Sequence, residues 1–454
     1  MKNKLNIDWS DTSVVGVSTP DPLRYAFDRK GSAHAGGMSR PLAAENTQDA
    51  LYAVLGDSNI NRGPRCLYVH IPFCRVRCTY CNFFQNASSS SLIDDYFSAL
   101  MDEIEWKSKF KWSQAAPFQA VYIGGGTPTD LSATQLRILG QKLREAFPLT
   151  PDCEITLEGR LNRFDDEKFE GALEGGFNRF SFGVQSFDTK VRRAAKRLDD
   201  REYVQERLSR LVSYNAAPIV LDLLFGLPYQ TLEVWEDDLQ CYLESGADGV
   251  DLYQLIEMKG LPMETMVEQG RLPMPADTQM KAAMYEMGVK FMDTHFQRRL
   301  SVNHWASGNR ERSIYNSLAK TTAEVLPLGS GAGGNVGGLQ MMHHRKLDTY
   351  IESIKKREFP VGMVFKSAAS KESSAAIKWS FDKGVISKRY FQHKLGYDLF
   401  SIAIPLFKAW QKNGLVELEP DYASLTLAGQ FWAVNLAQIL IRLIEEHKEN
   451  MQAA

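Results

Sequence analysis

Between positions 66 and 256 the chain alternates two hydrophobic rhythms. Short apolar or β-branched runs at 66–73, 120–126, 154–160, 179–186, 218–228 and 249–256 each lie near a Gly or Pro. Longer stretches separate them at 92–111, 133–147, 166–175, 201–214 and 232–245, with apolar residues spaced for one helix face. Strands alternating with helices at about 30-residue spacing predict βαβ units around a parallel sheet. Six such units predict an α/β fold built as a partial (β/α)6 barrel rather than a full eight-fold one. Ligands in either arrangement sit at the C-terminal ends of the strands.

The rhythm is absent on both sides. Residues 1–63 are weakly periodic and contain the Gly-rich run Gly31-Ser-Ala-His34-Ala-Gly36-Gly37. They are expected to form an N-terminal extension that wraps on the main domain or acts as a lid. Residues 64–345 are expected to hold the barrel and a connecting region, with a helix near 277–297 and a Gly-rich patch at 329–334. From 346 to 454, helical stretches at 375–383, 388–393 and 402–411 precede a short hairpin after Gly414. A helix near 429–447 follows, with Leu436, Leu440 and Leu443 on one face. Helices followed by a small hairpin predict a C-terminal winged-helix-like α+β domain. It shows no basic recognition stripe, so nucleic acid is not the expected partner.

Charge supports that exclusion: 53 Lys and Arg face 55 Asp and Glu, a net charge of −2 in 454 residues. No run of about 18 apolar residues exists to span a membrane. The start of the chain lacks the apolar core of a signal peptide, so the expected compartment is the cytoplasm. Of six cysteines, Cys74, Cys78 and Cys81 are clustered, and Cys66, Cys153 and Cys241 stand alone. In a reducing compartment the cluster reads as metal or redox chemistry, and the isolated thiols as small buried hydrophobes.

The cluster lies in Tyr68-Val-His70-Ile-Pro-Phe-Cys74-Arg-Val-Arg-Cys78-Thr-Tyr80-Cys81, on the loop leaving the first strand. Three thiolates on such a loop can each bind one iron of a [4Fe–4S] cluster, leaving one iron open. Structural zinc wants four closed ligands and commonly a second Cys pair. No second pair exists, and His70 lies inside the strand. Simple burial of three thiols is the remaining alternative, opposed by Arg75 and Arg77 beside them.

C-x3-C-x2-C with an aromatic before the third Cys resembles the signature of radical S-adenosylmethionine (SAM) enzymes. Gly124-Gly125-Gly126-Thr127-Pro128, Leu157-Glu158-Gly159-Arg160, Phe182-Gly183-Val184-Gln185-Ser186 and the run from Leu221-Asp222 to Gly226-Leu227-Pro228 end the following strands. Together they resemble the branch that contains oxygen-independent coproporphyrinogen dehydrogenase, over about residues 65–450. The resemblance implies that Cys74, Cys78 and Cys81 hold the cluster. It implies two SAM molecules, lined by Tyr68, Tyr80, Gly125, Gly126, Thr127, Glu158, Gln185, Arg197 and Asp222. Tyr68, Glu158 and Arg197 are the expected catalytic residues among them. The residue types suit such a ligand. Glu158 and Asp222 accept from hydroxyls or an ammonium, Arg197 can clamp a carboxylate, and Gln185 offers donor and acceptor.

Within the branch, Arg310-Glu-Arg312-Ser-Ile-Tyr-Asn, the Gly329–Gly334 patch and the extension resemble the anaerobic heme-degrading methyltransferases (anaerobilin synthases). The His-Asn-x-x-Tyr-Trp pattern of the heme-chaperone group is missing. The resemblance implies opening of heme to a linear tetrapyrrole, with iron release. The route would be a 5′-deoxyadenosyl radical from one SAM, a methylene radical from the second, and addition to a meso carbon. Coproporphyrinogen dehydrogenase, or a heme carrier without turnover, are the alternatives. Heme would want cations for its propionates, with Arg310, Arg312 and Arg345 as candidates. An axial His would come from His34, His304, His343 or His344. No flavin or nicotinamide fingerprint is present, so flavodoxin or a similar reductase is the expected electron donor.

Overall fold

The computed structural model describes residues 5, 7–30, 39–58, 63–368 and 370–452. Six parallel strands lie side by side in chain order: β1 (Arg65–Ile71), β2 (Phe118–Gly125), β3 (Leu149–Gly159), β4 (Arg179–Gln185), β5 (Ile219–Phe225) and β6 (Gly249–Gln254). They are the six units expected from the hydrophobic pattern, wrapped into a partial barrel. The helices between them are α1 (Ser90–Ser108), α2 (Ala133–Ala146), α3 (Asp166–Gly175), α4 (Arg201–Ser213) and α5 (Leu232–Ser245), followed after β6 by α6 (Thr278–Thr294).

Local chemistry sets these boundaries. Each of the six helices opens on a Ser, Thr or Asp whose side chain accepts the third helical N–H: Ser89, Ser132, Asp165, Asp200, Thr231 and Asp277. Ser132 and Gln135 complete a capping box. The buried faces are apolar, as in Leu136, Leu139 and Leu143 of α2. The strand face under the helices is apolar, with Ile155, Leu157, Phe180, Phe182, Leu221 and Leu223 in the core, while the alternate face carries Glu158, Arg179, Ser181, Asp222 and Asp251. In β5 the sequence Ile-Val-Leu-Asp-Leu-Leu-Phe is buried at every position except Asp222.

Past β1 the sheet goes on. β7 (Glu324–Leu328) pairs parallel to β1, and β8 (Gly333–Val336), β9 (Leu339–His343) and β10 (Val361–Ser367) follow antiparallel. Ser39–Pro41 from the extension closes that edge against β10. At the other edge His304–Ala306 pairs antiparallel to β6. The sheet therefore runs beyond position 345, and the separate C-terminal unit starts at the helix Lys371–Lys383. That unit combines Lys371–Lys383, Lys388–Leu395 and Leu399–Lys412 with a three-stranded antiparallel sheet, the α+β arrangement of a winged helix. The helix expected near 429–447 is two helices, Leu427–Phe431 and Ala433–Gln452.

The described part of the extension packs on the C-terminal unit and on α6. Trp410 Nε1 donates to Val14 O at 3.0 Å, Trp432 Nε1 to Leu23 O at 3.1 Å, and Arg24 pairs with Glu286 at 2.9 Å. Farther along, Gln48 bonds Phe359 in both directions at 2.9 Å. The floor of the barrel is plugged by the short helix Ile314–Ala319. The N–H groups of Ile314 and Tyr315 donate to the Glu154 carboxylate at 2.9 and 3.0 Å, and Tyr315 stacks on Tyr122 with ring centroids 4.7 Å apart. Cys66, Ala120 and Val325 pack beneath it. Among the described residues, the partly exposed Glu158, Gln185 and Asp222 lie at the C-terminal ends of the strands, away from this plug.

Candidate active site at the open end of the barrel

The cysteine loop leaves β1 at this open end. Phe73–Cys74 forms a two-residue strand with Asn86–Ala87. Thr79 ties the loop down: its Oγ1 donates to Ala194 O at 3.1 Å, and its carbonyl accepts from Met263 N at 2.8 Å. Each Sγ has a donor. Thr127 Oγ1 lies 3.3 Å from Cys74, Arg160 Nη2 3.3 Å from Cys78, and the Phe83 N–H 3.3 Å from Cys81. Burial pushes the Cys74 thiol up, against the pull of Thr127 and Arg160. Burial also acts on Cys78, but Arg197 and Arg160 outweigh it and its thiol is held below the ordinary range.

The next strand ends form a wall beside this loop. Gly125 has φ of +113°, and a Cβ there would lie 2.8 Å from the His70 ring. A Cβ on Gly126 would lie 2.4 Å from the Phe73 carbonyl oxygen, so only glycine lets the β2 turn reach the cysteine loop. Gly126→Ala is expected to displace the loop and cost about 1–3 kcal/mol, as overpacking does. A urea denaturation midpoint lowered together with weakened SAM binding would show it; an unchanged midpoint would refute it. Tyr68 Oη lies 2.9 Å from His70 Nδ1, and the Gln85 amide 3.0 Å from His70 Nε2, which engages both ring nitrogens.

Farther along, Gln185 adopts φ of +73° at an irregularity in the β4–β5 pairing. A left-handed backbone at a non-glycine residue is uncommon and gathers at functional sites. It turns the Gln185 amide over Gly183, where the Arg197 guanidinium also sits. Arg197 donates to Tyr80 Oη at 3.2 Å and is only 8% exposed, yet its Nε has no partner. A buried guanidinium N–H left open beside a lumen is a waiting donor for an anionic group. Glu158 and Asp222 face the same lumen. Burial raises the Glu158 carboxyl against a hydrogen bond from Tyr122. Burial, then Asp251 and Glu158, push Asp222 up to about 8.

A sequence profile of the Radical SAM superfamily matches residues 68–241. The anaerobilin synthase of Escherichia coli O157:H7 is 39% identical over 405 residues, 89% of this chain and 90% of that protein. The chain belongs to the radical SAM superfamily. It lies in the branch that also holds the heme chaperone HemW of Bacillus subtilis, 28% identical over 80% of this chain and 95% of that one. Among solved structures, coproporphyrinogen III oxidase (HemN) from Escherichia coli shares the fold, with a TM-score of 0.76, 20% identity, and coverage of 90% of this chain and 96% of that one.

Membership in the radical SAM superfamily implies a [4Fe–4S] cluster and SAM, and the donor set fits both. The ionisation of Cys74 feels Cys78 and Cys81, so the three thiols share one face of the loop. Among the described residues, no three or more His, Cys, Asp or Glu side chains are placed to hold a single metal ion. A cluster asks for one thiolate at each of three separate irons instead. Cys74, Cys78 and Cys81 would hold it, and the open Arg197 N–H, Gln185, Glu158 and Asp222 would offer SAM polar partners.

Arg179, Asp251 and Glu311 escaped the sequence reading, and His304 was read only as a heme ligand. Arg179 binds Glu311 bidentately, with Nε–Oε2 2.9 Å and Nη2–Oε1 3.0 Å. His304 sits between Asp251, 2.8 Å from Nδ1, and Glu311, 3.3 Å from Nε2. Burial would lower His304, but Asp251 and Glu311 lift it to about 9. The one legible signal was Asp251, which interrupts the apolar run of β6 as Asp222 interrupts β5.

This network corrects the expected heme ligands. His304 is 3% exposed, with Nδ1 on Asp251 at 2.8 Å and Nε2 facing Glu311 at 3.3 Å, so its burial keeps it from a heme iron. Arg310 bonds Asn215 at 2.7 Å and faces Asp248, and Arg312 faces Asp152, all at the N-terminal ends of the strands. They lie at the wrong end of the barrel for a ligand beside the cysteine loop. His343 is buried between Gly329 O at 2.7 Å and Lys107 Nζ at 3.2 Å. His34 lies outside the described residues. Arg345 is exposed and its charge, after burial, helps hold His70 down to about 4, which places it at the open end.

The network also sets a pH dependence. The folded values of His304 (about 9) and Asp222 (about 8) are above the unfolded ones, 6.5 and 3.8. Both therefore contribute stability that is complete below the unfolded value and lost as pH rises through the folded one. Ligand-free protein is expected to lose on the order of 3 kcal/mol through His304 between pH 6.5 and 9. Urea midpoints across that range test this; a His304→Gln variant with the same slope would refute it.

Proposed function

We propose that the chain degrades heme anaerobically as a radical SAM methyltransferase, binding two SAM molecules and opening the porphyrin to a linear tetrapyrrole with release of iron. One observation carries the reading: identity to an anaerobilin synthase is 39% over nine-tenths of both chains, against 28% to a heme chaperone. The cluster and SAM would supply one-electron reduction and carbon-radical chemistry, which a porphyrin edge needs because it is a poor nucleophile for direct methyl transfer.

The chain's own residues do the rest. Cys74, Cys78 and Cys81 hold the cluster. Arg197, steadied by Tyr80, clamps a carboxylate through its open N–H. Gly125 and Gly126 let main-chain groups approach a ligand closely. Glu158, Gln185 and Asp222 orient hydroxyls and positive charge. The plug Ile314–Ala319 keeps water out from below. Electrons come from a separate flavodoxin or similar reductase. No described helix is long and apolar enough to cross a membrane.

The test is anaerobic. Cluster-loaded protein with SAM, reductant and heme should lose the Soret band and form a tetrapyrrole one carbon heavier, together with 5′-deoxyadenosine and S-adenosylhomocysteine. Intact heme without 5′-deoxyadenosine would refute catalysis. Arg345 is the remaining propionate candidate. Arg345→Ala is expected to weaken heme binding roughly tenfold, the worth of one charged hydrogen bond, and leave SAM binding unchanged. Equal heme affinity in a Soret titration would remove Arg345 from the site.

A further inference from the structure

Four carboxyls and two cations meet inside the barrel at β3 to β6. Asp251 and Glu311 are ion-paired, through His304 and Arg179. Among the described residues, Glu158 and Asp222 have no ion-pair partner. Asp222 accepts a hydrogen bond from Ser181 Oγ at 3.4 Å. Its register neighbours are Gly183 on β4 and Asp251 on β6, so two carboxyls stand side by side. The groups facing it are Ser181 and Arg179 from β4, Glu158 from β3, Tyr122 from β2, Asp251 and Tyr253 from β6, and His304 from the edge strand.

Two adjacent buried carboxyls cannot both be charged cheaply, so the pair keeps a proton. The environment is not symmetric. His304 presents Nδ1 to Asp251 at 2.8 Å and makes no contact with Asp222. The imidazolium pairs with Asp251, and the proton stays on Asp222, the member without an ion-pair partner. That proton lowers the negative charge of a wall built with more acid than base.

We propose that a cationic ligand entering this wall replaces the proton on Asp222, so that binding of SAM is coupled to release of about one proton, and that His304 acts as the positioning residue that decides which carboxyl gives it up. SAM carries a sulfonium, an ammonium and a carboxylate, a net charge of +1. The proton goes to buffer, the ligand charge takes its place, and the wall keeps its net charge. The inference rests on the SAM reading above.

The experiment is calorimetric titration of SAM into anaerobic, oxidised, cluster-loaded protein, so that no turnover occurs. Apparent enthalpies at pH 7 in phosphate and in Tris give the protons exchanged. The wild type should release about one proton per chain more than Asp222→Asn. Its association constant should rise about tenfold per pH unit below pH 7 and level off above about 8. Asp251→Asn removes the neighbouring charge that keeps the proton on, so release at pH 7 should fall by at least half. His304→Gln should keep the release and move the levelling point to higher pH, because a cation has gone. A merely structural role would change affinity without moving these proton counts. Equal heats in the two buffers for the wild type, or unchanged release in Asp251→Asn, would overturn the coupling. Absence of any SAM binding would overturn the cofactor reading instead, and is seen directly as no heat and no retained SAM.

Discussion

Cys78→Ala is expected to give a folded protein that cannot hold its cluster. The thiol is 2% exposed and small, so its loss costs about 1 kcal/mol of stability. Its chemical weight is far greater. Against its burial, Arg197 and Arg160 hold this thiol below its ordinary range, which favours the thiolate that a metal takes. Alanine leaves a [4Fe–4S] cluster two ligands, and Arg160 Nη2 loses its sulfur acceptor. Iron and sulfide content, the visible absorption and reductive SAM cleavage should fall together, cleavage on the order of a thousandfold or more. Cys66→Ala is the matched control. Cys66 is equally buried, but under the plug at the far end, and burial pushes its thiol up to about 12. It should keep full cluster content. A Cys78→Ala protein that retained its cluster would end the assignment of this loop.

Glu311→Gln is expected to be the most destabilising single change. The Glu311 side chain is fully buried and meets Arg179 bidentately and His304 at 3.3 Å. Arg179 is nearly as buried, at 2%. Breaking a buried pair from one side strands the other charge, at about 3–5 kcal/mol. His304 loses one of its two acidic partners as well. Because the cost is the stranded charge rather than the bond, replacing both partners by apolar residues should recover much of it. Denaturation midpoints of Glu311→Gln and of the double variant Arg179→Met with Glu311→Leu test this. A double variant as unstable as the single one would show that packing, not charge, holds this corner.

These residues also mark how far a sequence could be read. The cysteine loop was legible because its chemistry is local: three thiols in eight residues share one turn whatever surrounds them. The six strands and their helices were legible because burial imposes a period, and the Ser, Thr and Asp caps punctuate it. Asp222 was named through the resemblance of the run that ends its strand. Only the tertiary structure decided which end of the barrel a side chain serves. Arg310 and Arg312 share the composition of an anion site, yet they meet Asp248 and Asp152 at the closed end. His304 looked like a free imidazole and is locked between two carboxylates, one of them 53 positions away on the neighbouring strand. Arg179 and Glu311 are 132 residues apart and meet only when the chain returns beneath the sheet. Periodicity reports whether a residue is buried and on which face of its own element. It carries nothing about which distant residue faces it, and the electrostatics of this wall are made of such pairs.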